Sequence, residues 1–190
     1  STSRINFPCG RESLQYKADE YHVNLFIPEN DIGEAWIDLM KVERAWINLA
    51  SNALEAAKTF VRVEAEKKGS SLYIRVIDDG PGVPEEIFSK LFQRGMTHGK
   101  AGGTGLGLAY VRQIIRGHGG DVTYRRENNL TIFECFLPHA FDQNQAKSLA
   151  HDESRMAQGN CQIQQVSVCF SPNSYGESVH NLLVNFGDQR

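Results

Sequence analysis

Residues 61–80 read VRVEAEKKGSSLYIRVIDDG, two apolar-charged alternating runs on either side of Lys68-Gly69-Ser70. A period of two puts one set of side chains on one face of a strand. Two such runs joined by a tight glycine-containing turn make a β-hairpin. A hairpin with a single apolar face is marginal in water until something covers it. The cover stands immediately upstream. Val42, Trp46, Leu49, Ala53, Ala57 and Phe60 recur at steps of 4, 3, 4, 4 and 3, which is one apolar face of a long helix. Asp38 is placed to cap its N-terminus.

The other segments extend this pattern. YHVNLFI (21–27) and EAWID (34–38) are short strand candidates, and PEEIFSKLFQ (84–93) is a short helix with Pro84 near its first position. Residues 94–104 have no periodicity and four glycines, which predicts a mobile loop. GLGLAYVRQIIRGHGG then reads as a helix stopped by Gly119-Gly120. DVTYRRE and LTIFECFLP form a second hairpin across Asn128-Asn129. Residues 1–20 read as irregular and polar, and 140–165 as a polar linker rich in Gln, Asn, Ser and Asp. Residues 166–190 read as strand, turn and helix, so a domain of about 21–139 is expected, with a boundary near residue 140. Helices mixed with hairpins, without regular βαβ alternation, predict a mixed sheet under a helical layer.

Bulk properties exclude several classes. The chain has 190 residues, 41% hydrophobic and 23% charged, enough for one globular core. A formal net charge of −3 and a pI of about 6.1 give no electrostatic reason to expect nucleic acid as partner. No apolar run approaches the roughly 18–20 residues of a membrane span. Cys9, Cys135, Cys161 and Cys169 are scattered without a C-x-x-C pair, which fits a reducing compartment, so a cytoplasmic location is expected.

Three motifs carry chemistry. On the long helix, Asn48, Asn52 and Glu55 form a polar stripe rotated from the apolar one. Carboxamides can orient a hydrated Mg²⁺, which needs only one or two protein oxygens beside substrate phosphates; the same stripe also suits a plainly solvated helix face. IDDGPGV (77–83) closes an apolar strand. A carboxylate there can accept from an exocyclic amine such as that of adenine, and the glycines admit a flat ring; Asp, Gly and Pro are also common turn formers. GGTGLGL (102–108) opens a helix, offering free N–H groups and a favourable dipole to an anion. Its spacing is neither that of a P-loop nor that of a strand-coupled dinucleotide fingerprint.

Taken in order, these boxes resemble the catalytic, ATP-binding domain of sensor histidine kinases, within the GHKL ATPase superfamily. ERAWINLASNALEAA is similar to the N box, IDDGPGV to the G1 box, IFSKLF to the F box and GGTGLGLA to the G2 box, over about residues 20–138. The resemblance implies a two-layer α/β (α+β) sandwich of the Bergerat type, a mixed sheet covered on one face by helices. It also implies ATP and Mg²⁺ as ligands. Asn52 would hold the metal, with Asn48 supporting metal or phosphates, and Glu55 stands on the same stripe. Asp78 would take the adenine amine, bordered by Gly80 and Gly82, with Thr131 at the base end. Residues 94–104 would form a lid bringing Thr97, His98 and Lys100 near the phosphates. Gly103, Thr104, Gly105, Leu106 and Gly107 would wrap the triphosphate.

The departures from the family pattern carry expectations of their own. Hydrolysing superfamily members usually have Glu where this chain has Asn48, so weak hydrolysis and transfer to a protein acceptor are expected. Many relatives have Lys where Glu55 stands, so Lys100, Arg94 or Arg112 would have to supply the positive charge. The implied partners are a dimerisation domain carrying the acceptor histidine, for which residues 1–20 would be the lead-in, and a response regulator or receiver domain. The full kinase is expected to be a homodimer and this fragment monomeric. His151 in LAHDESR lies on the wrong side to be the acceptor. The tail from residue 166 resembles the start of a receiver domain with Phe170-Ser171 in place of its acidic pair. A degenerate scaffolding module of the same fold is the alternative.

Overall fold

The computed structural model describes residues 11–27, 31–96, 107–150 and 161–169. The elements run α1 (Arg11–Glu20), β1 (Asn24–Phe26), β2 (Asp31–Ile37), α2 (Leu39–Ala56), β3 (Phe60–Lys68), β4 (Ser71–Asp78), a 3-10 helix (Glu85–Lys90), α3 (Gly107–Gly117), β5 (Asp121–Glu127), β6 (Leu130–Leu137), α4 (Gln143–Ala150) and β7 (Gln164–Cys169). Strands β1-β3-β4-β6-β5 form one five-stranded sheet, parallel between β1 and β3 and antiparallel elsewhere. Both expected hairpins are present, and Asn128 and Asn129 take φ of 49° and 62°, the doubly left-handed turn whose twist suits paired strands.

One face of this sheet lies under α2 and α3. Val63, Ile74 and Cys135 from the strands meet Trp46, Leu49 and Ile115 from the helices, all essentially buried. Burial of each larger side chain there contributes about 1.5–3 kcal/mol, and the alternation seen in the sequence exists because only this face is covered. The opposite face is a charge ladder: Arg75 on β4 reaches Glu66 on β3 and Glu134 on β6, beside the Tyr73–Phe136 ring pair at 5.1 Å.

The caps follow the sequence. Asp38 accepts the Lys41 N–H at 3.3 Å and starts α2. Gly119 and Gly120 close α3 with N–H bonds to Arg116 and Ile115 carbonyls, a Schellman stop.

Four expectations are corrected. Residues 11–20 are not irregular: Leu14 and Ala18, four apart, bury one side of α1 against the body of the fold. The segment after Pro84 is a 3-10 helix, Glu85–Lys90, rather than an α-helix over 84–93. The second strand begins at Asp31, three residues before EAWID. Most consequentially, the stretch read as linker contains α4, and β7 beyond it pairs antiparallel with β2 as a second, two-stranded sheet. The described parts of this tail are tied to β2 and the start of α2. Trp36 N–H donates to Ala140 O at 2.6 Å, Lys147 of α4 lies over the Trp36 ring at 5.0 Å, and Gln162 N–H donates to the Asp38 carboxylate at 2.8 Å. The buried His118 imidazole accepts the Asp38 N–H at 3.0 Å and donates to Ile114 O, and burial holds its pKa below the usual value. No helix among the described residues is long and apolar enough to cross a membrane.

Candidate functional site

The end of β4 brings together four of the expected site residues, Asp78, Gly80, Gly82 and Thr131. Asp78 is 2% exposed and stands opposite Thr131 of β6, itself 3% exposed. Asp78 Oδ1 accepts the Gly80 N–H at 2.8 Å. Burial pushes this carboxyl up to about 6, helped by the neighbouring Asp79 charge and opposed by the Gly80 N–H and the Arg126 guanidinium. Asp79 has the opposite task. Burial works against its ionisation, but the Thr59 hydroxyl and the N–H groups of Thr59, Phe60 and Lys58 hold it down at about 2. Of the two adjacent acids, Asp79 latches the start of β3 and Asp78 is left for other chemistry.

Backbone approach explains the two glycines after them. A Cβ on Gly80 would lie 2.4 Å from the Ala56 carbonyl at the end of α2. Gly82 has φ +75°, and a Cβ there would lie 2.9 Å from the Tyr124 hydroxyl. That hydroxyl accepts the Val83 N–H at 3.0 Å. Arg126 of β5 donates through Nη1 to Gly80 O at 2.7 Å and to Thr131 Oγ1 at 2.8 Å.

The second group lies where α2 passes the start of α3. A side chain at Gly107 would begin 3.9 Å from Asn52 Nδ2. The Arg44 guanidinium lies 5.1 Å over the Tyr110 ring, about two turns back along α2 and one turn along α3. Asn48 is four residues from both Arg44 and Asn52, so the carboxamide stripe runs beside the first turn of α3. There the N–H groups lack intrahelical partners and the helix dipole favours an anion. Gly80 joins the two groups, since its neighbour Ala56 is one turn beyond Asn52 on α2.

Glu55 turns elsewhere. Lys17 of α1 ion-pairs with it and also donates to Ser51 Oγ at 2.6 Å. Arg112 is engaged as well, forked onto Asp121 at 3.1 and 3.3 Å and lying 5.3 Å over Phe92. Thr97, His98, Lys100, Gly103, Thr104, Gly105 and Leu106 lie outside the described residues. Tyr124 and Arg126 escaped the sequence reading. The signal for Arg126 is the register of the second hairpin, because a two-residue turn at Asn128-Asn129 sets it opposite Thr131.

A family model described as histidine kinase-, DNA gyrase B-, and HSP90-like ATPase matches residues 37–140, more than half of the chain. The chain belongs to this ATPase family. The sensory histidine kinase/phosphatase NtrB of Rhodobacter capsulatus is 36% identical over 118 residues, covering 54% of this chain and 33% of that protein. The sensor protein KdpD of Escherichia coli is 36% identical over 123 residues, covering 61% of this chain and 14% of that protein. The chain thus spans at most about a third of these relatives' lengths. The catalytic domain of histidine kinase ThkA is similar in structure, with a TM-score of 0.62 at 26% identity, over 70% of this chain and 91% of that one. The mixed five-stranded sheet with helices is accordingly the GHKL-type sandwich, and the chain is an ATP-binding catalytic domain of the histidine kinase type.

The expected metal fits the donor set only in a particular way. Among the described residues no group of three or more His, Cys, Asp or Glu side chains could hold a metal by itself. The carboxamides of Asn48 and Asn52 suit a hard cation that takes its remaining ligands from phosphates and water.

Proposed function

We propose that this domain binds Mg²⁺-ATP and transfers the γ-phosphoryl group to a histidine on a separate dimerisation domain of the same kinase. The observation that carries this reading is the Asp78–Gly80 turn, a buried carboxylate at a strand end, joined through Ala56 to the Asn48/Asn52 stripe at the start of α3. An adenine amine would donate to Asp78, with Gly80 and Gly82 bordering the ring and Thr131 at its edge. The phosphates would lie against the N-terminal turn of α3, within the stretch from Thr97 and Lys100 through Gly103, Thr104, Gly105, Leu106 and Gly107. Asn52, with Asn48, would hold Mg²⁺, which when bound offsets charge on the phosphate oxygens.

The chain's own residues then do positional work. They hold the nucleotide at both ends, so the direction of the γ-phosphate is set by the fold and the acceptor decides the outcome. The Asn48 carboxamide is not a base and cannot accept a proton from water, so hydrolysis stays slow and transfer to a supplied histidine dominates. The partners in this reading are the dimerisation domain and a response regulator or receiver domain, in a cytoplasmic, homodimeric kinase.

A scaffolding module is the second reading, supported by Glu55 being committed to Lys17 of α1. A titration with a fluorescent ATP analogue, with and without Mg²⁺, separates these from a non-binder. Adding the dimerisation domain and γ-labelled ATP then separates kinase from scaffold. Label on the histidine is expected, binding without label supports the scaffold, and absence of Mg²⁺-dependent binding ends the kinase reading.

A further inference from the structure

We infer that Arg126 is a positioning residue for the nucleobase, one that makes the Asp78 end of the site selective for a base bearing an exocyclic amine. This rests on the nucleotide-binding reading above. Arg126 pairs with Thr131 across the β5–β6 hairpin, and Thr131 pairs with Asp78 across β6–β4. Three polar residues therefore form one row across the end of the sheet.

The hydrogen bonds along this row have a fixed direction. A guanidinium only donates, so Thr131 Oγ1 is the acceptor in its 2.8 Å bond with Arg126 Nη1. The single hydroxyl proton of Thr131 is consequently released for another acceptor. The same Nη1 donates to Gly80 O at 2.7 Å, while Gly80 N–H donates to Asp78 Oδ1 at 2.8 Å. Gly80 is thus held at both ends, by a cation through its carbonyl and by a carboxylate through its N–H. Among the described residues only Oδ1 of Asp78 is so engaged, which leaves Oδ2 to a ligand.

The chemistry of selectivity follows. A nearby guanidinium favours the ionised carboxylate, which only accepts hydrogen bonds. An amine at the facing position of the base is matched to it, whereas a carbonyl there sets acceptor against acceptor and leaves a buried group unpaired. Position adds to charge: Arg126 Cδ and Nη1 would both lie 3.1 Å from a Cβ at Gly82, so the arginine packs against the turn that borders the base. Arg126 is exposed on edge strand β5, so its replacement leaves the core intact.

The test uses the whole chain, with ATP and inosine triphosphate as probes, the latter carrying a carbonyl in place of the amine. Binding is measured by calorimetry with Mg²⁺ for the native chain, Arg126→Ala, Arg126→Lys and Asp78→Asn. The native chain should prefer ATP. Arg126→Ala should lose about tenfold in ATP affinity, the worth of a charge-assisted contact made indirectly, while inosine triphosphate changes little. Arg126→Lys should recover part of the preference. An unchanged ATP preference in Arg126→Ala, or an equal fall for both nucleotides, overturns the inference. If Asp78→Asn loses ATP while Arg126→Ala does not, the nucleotide reading stands and Arg126 alone is dismissed. A native chain that binds neither probe removes both.

Discussion

Asp78→Asn separates what the fold wants from what the ligand wants at one position. The carboxyl ionises near pH 6 because burial disfavours its charge. A folded-state value above the ordinary 3.8 means that the stabilising contribution is full below 3.8 and is lost as pH rises through about 6. At neutral pH the ionised side chain therefore costs the empty domain about 3 kcal/mol, taking roughly 1.4 kcal/mol per pH interval. Asparagine keeps an oxygen for the Gly80 N–H and carries no charge. The variant should be up to about 3 kcal/mol more stable than the native domain at pH 7, and level with it near pH 4.

Binding should move the other way. An amide NH₂ would meet the adenine amine donor to donor, and loss of a charge-assisted bond of about 1.5–3 kcal/mol weakens ATP roughly 10- to 150-fold. In the native domain, acidification from pH 7 to 5 takes Asp78 from about nine-tenths to about one-tenth ionised, so affinity should fall about tenfold relative to the variant. The nucleotide's own phosphate titration is common to both proteins and cancels in that ratio. Urea denaturation of the empty domain and calorimetric ATP titration, each at pH 5 and 7 on both proteins, provide the comparison. A variant that binds ATP as well as the native chain at pH 7 would refute the role given to Asp78. A flat native-to-variant ratio between the two pH values would refute the protonation argument.

Three further perturbations address the scaffold. Asp38→Ala removes both the α2 cap and the acceptor for Gln162 N–H; the two losses should together cost about 2–4 kcal/mol in urea denaturation, and proteolysis should release the β7 tail first. Gly82→Ala puts a side chain at φ +75° and against the Tyr124 hydroxyl, so ATP affinity should fall while far-ultraviolet circular dichroism is unchanged; unaltered affinity would deny the turn a role. Leu49→Ala opens the layer between α2 and the sheet and should cost about 2–5 kcal/mol of stability, with a smaller loss if the helices close in.

What the sequence determined by itself was everything that depends on local period and spacing. The steps along α2, the alternation in β3 and β4 and the Asn128-Asn129 turn are patterns that one chain segment imposes on its own backbone. So too the boxes named in order were sufficient to expect the GHKL sandwich that the family match and the sheet bear out. What the tertiary structure decided was pairing between distant segments. The strand expected from residue 166 became β7 of this domain because β2 had an open edge to offer and Asp38 an acceptor for the chain leading into it; composition alone carries neither fact. α1 holds only two buried side chains, too few for its periodicity to stand out, and is fixed by what it packs against. Glu55 is defined by Lys17, 38 residues away, and Arg126 by Gly80, 46 residues away. A side chain's partner is set by the register of whole elements, and that register is stabilised by the core rather than by the residues that happen to meet across it.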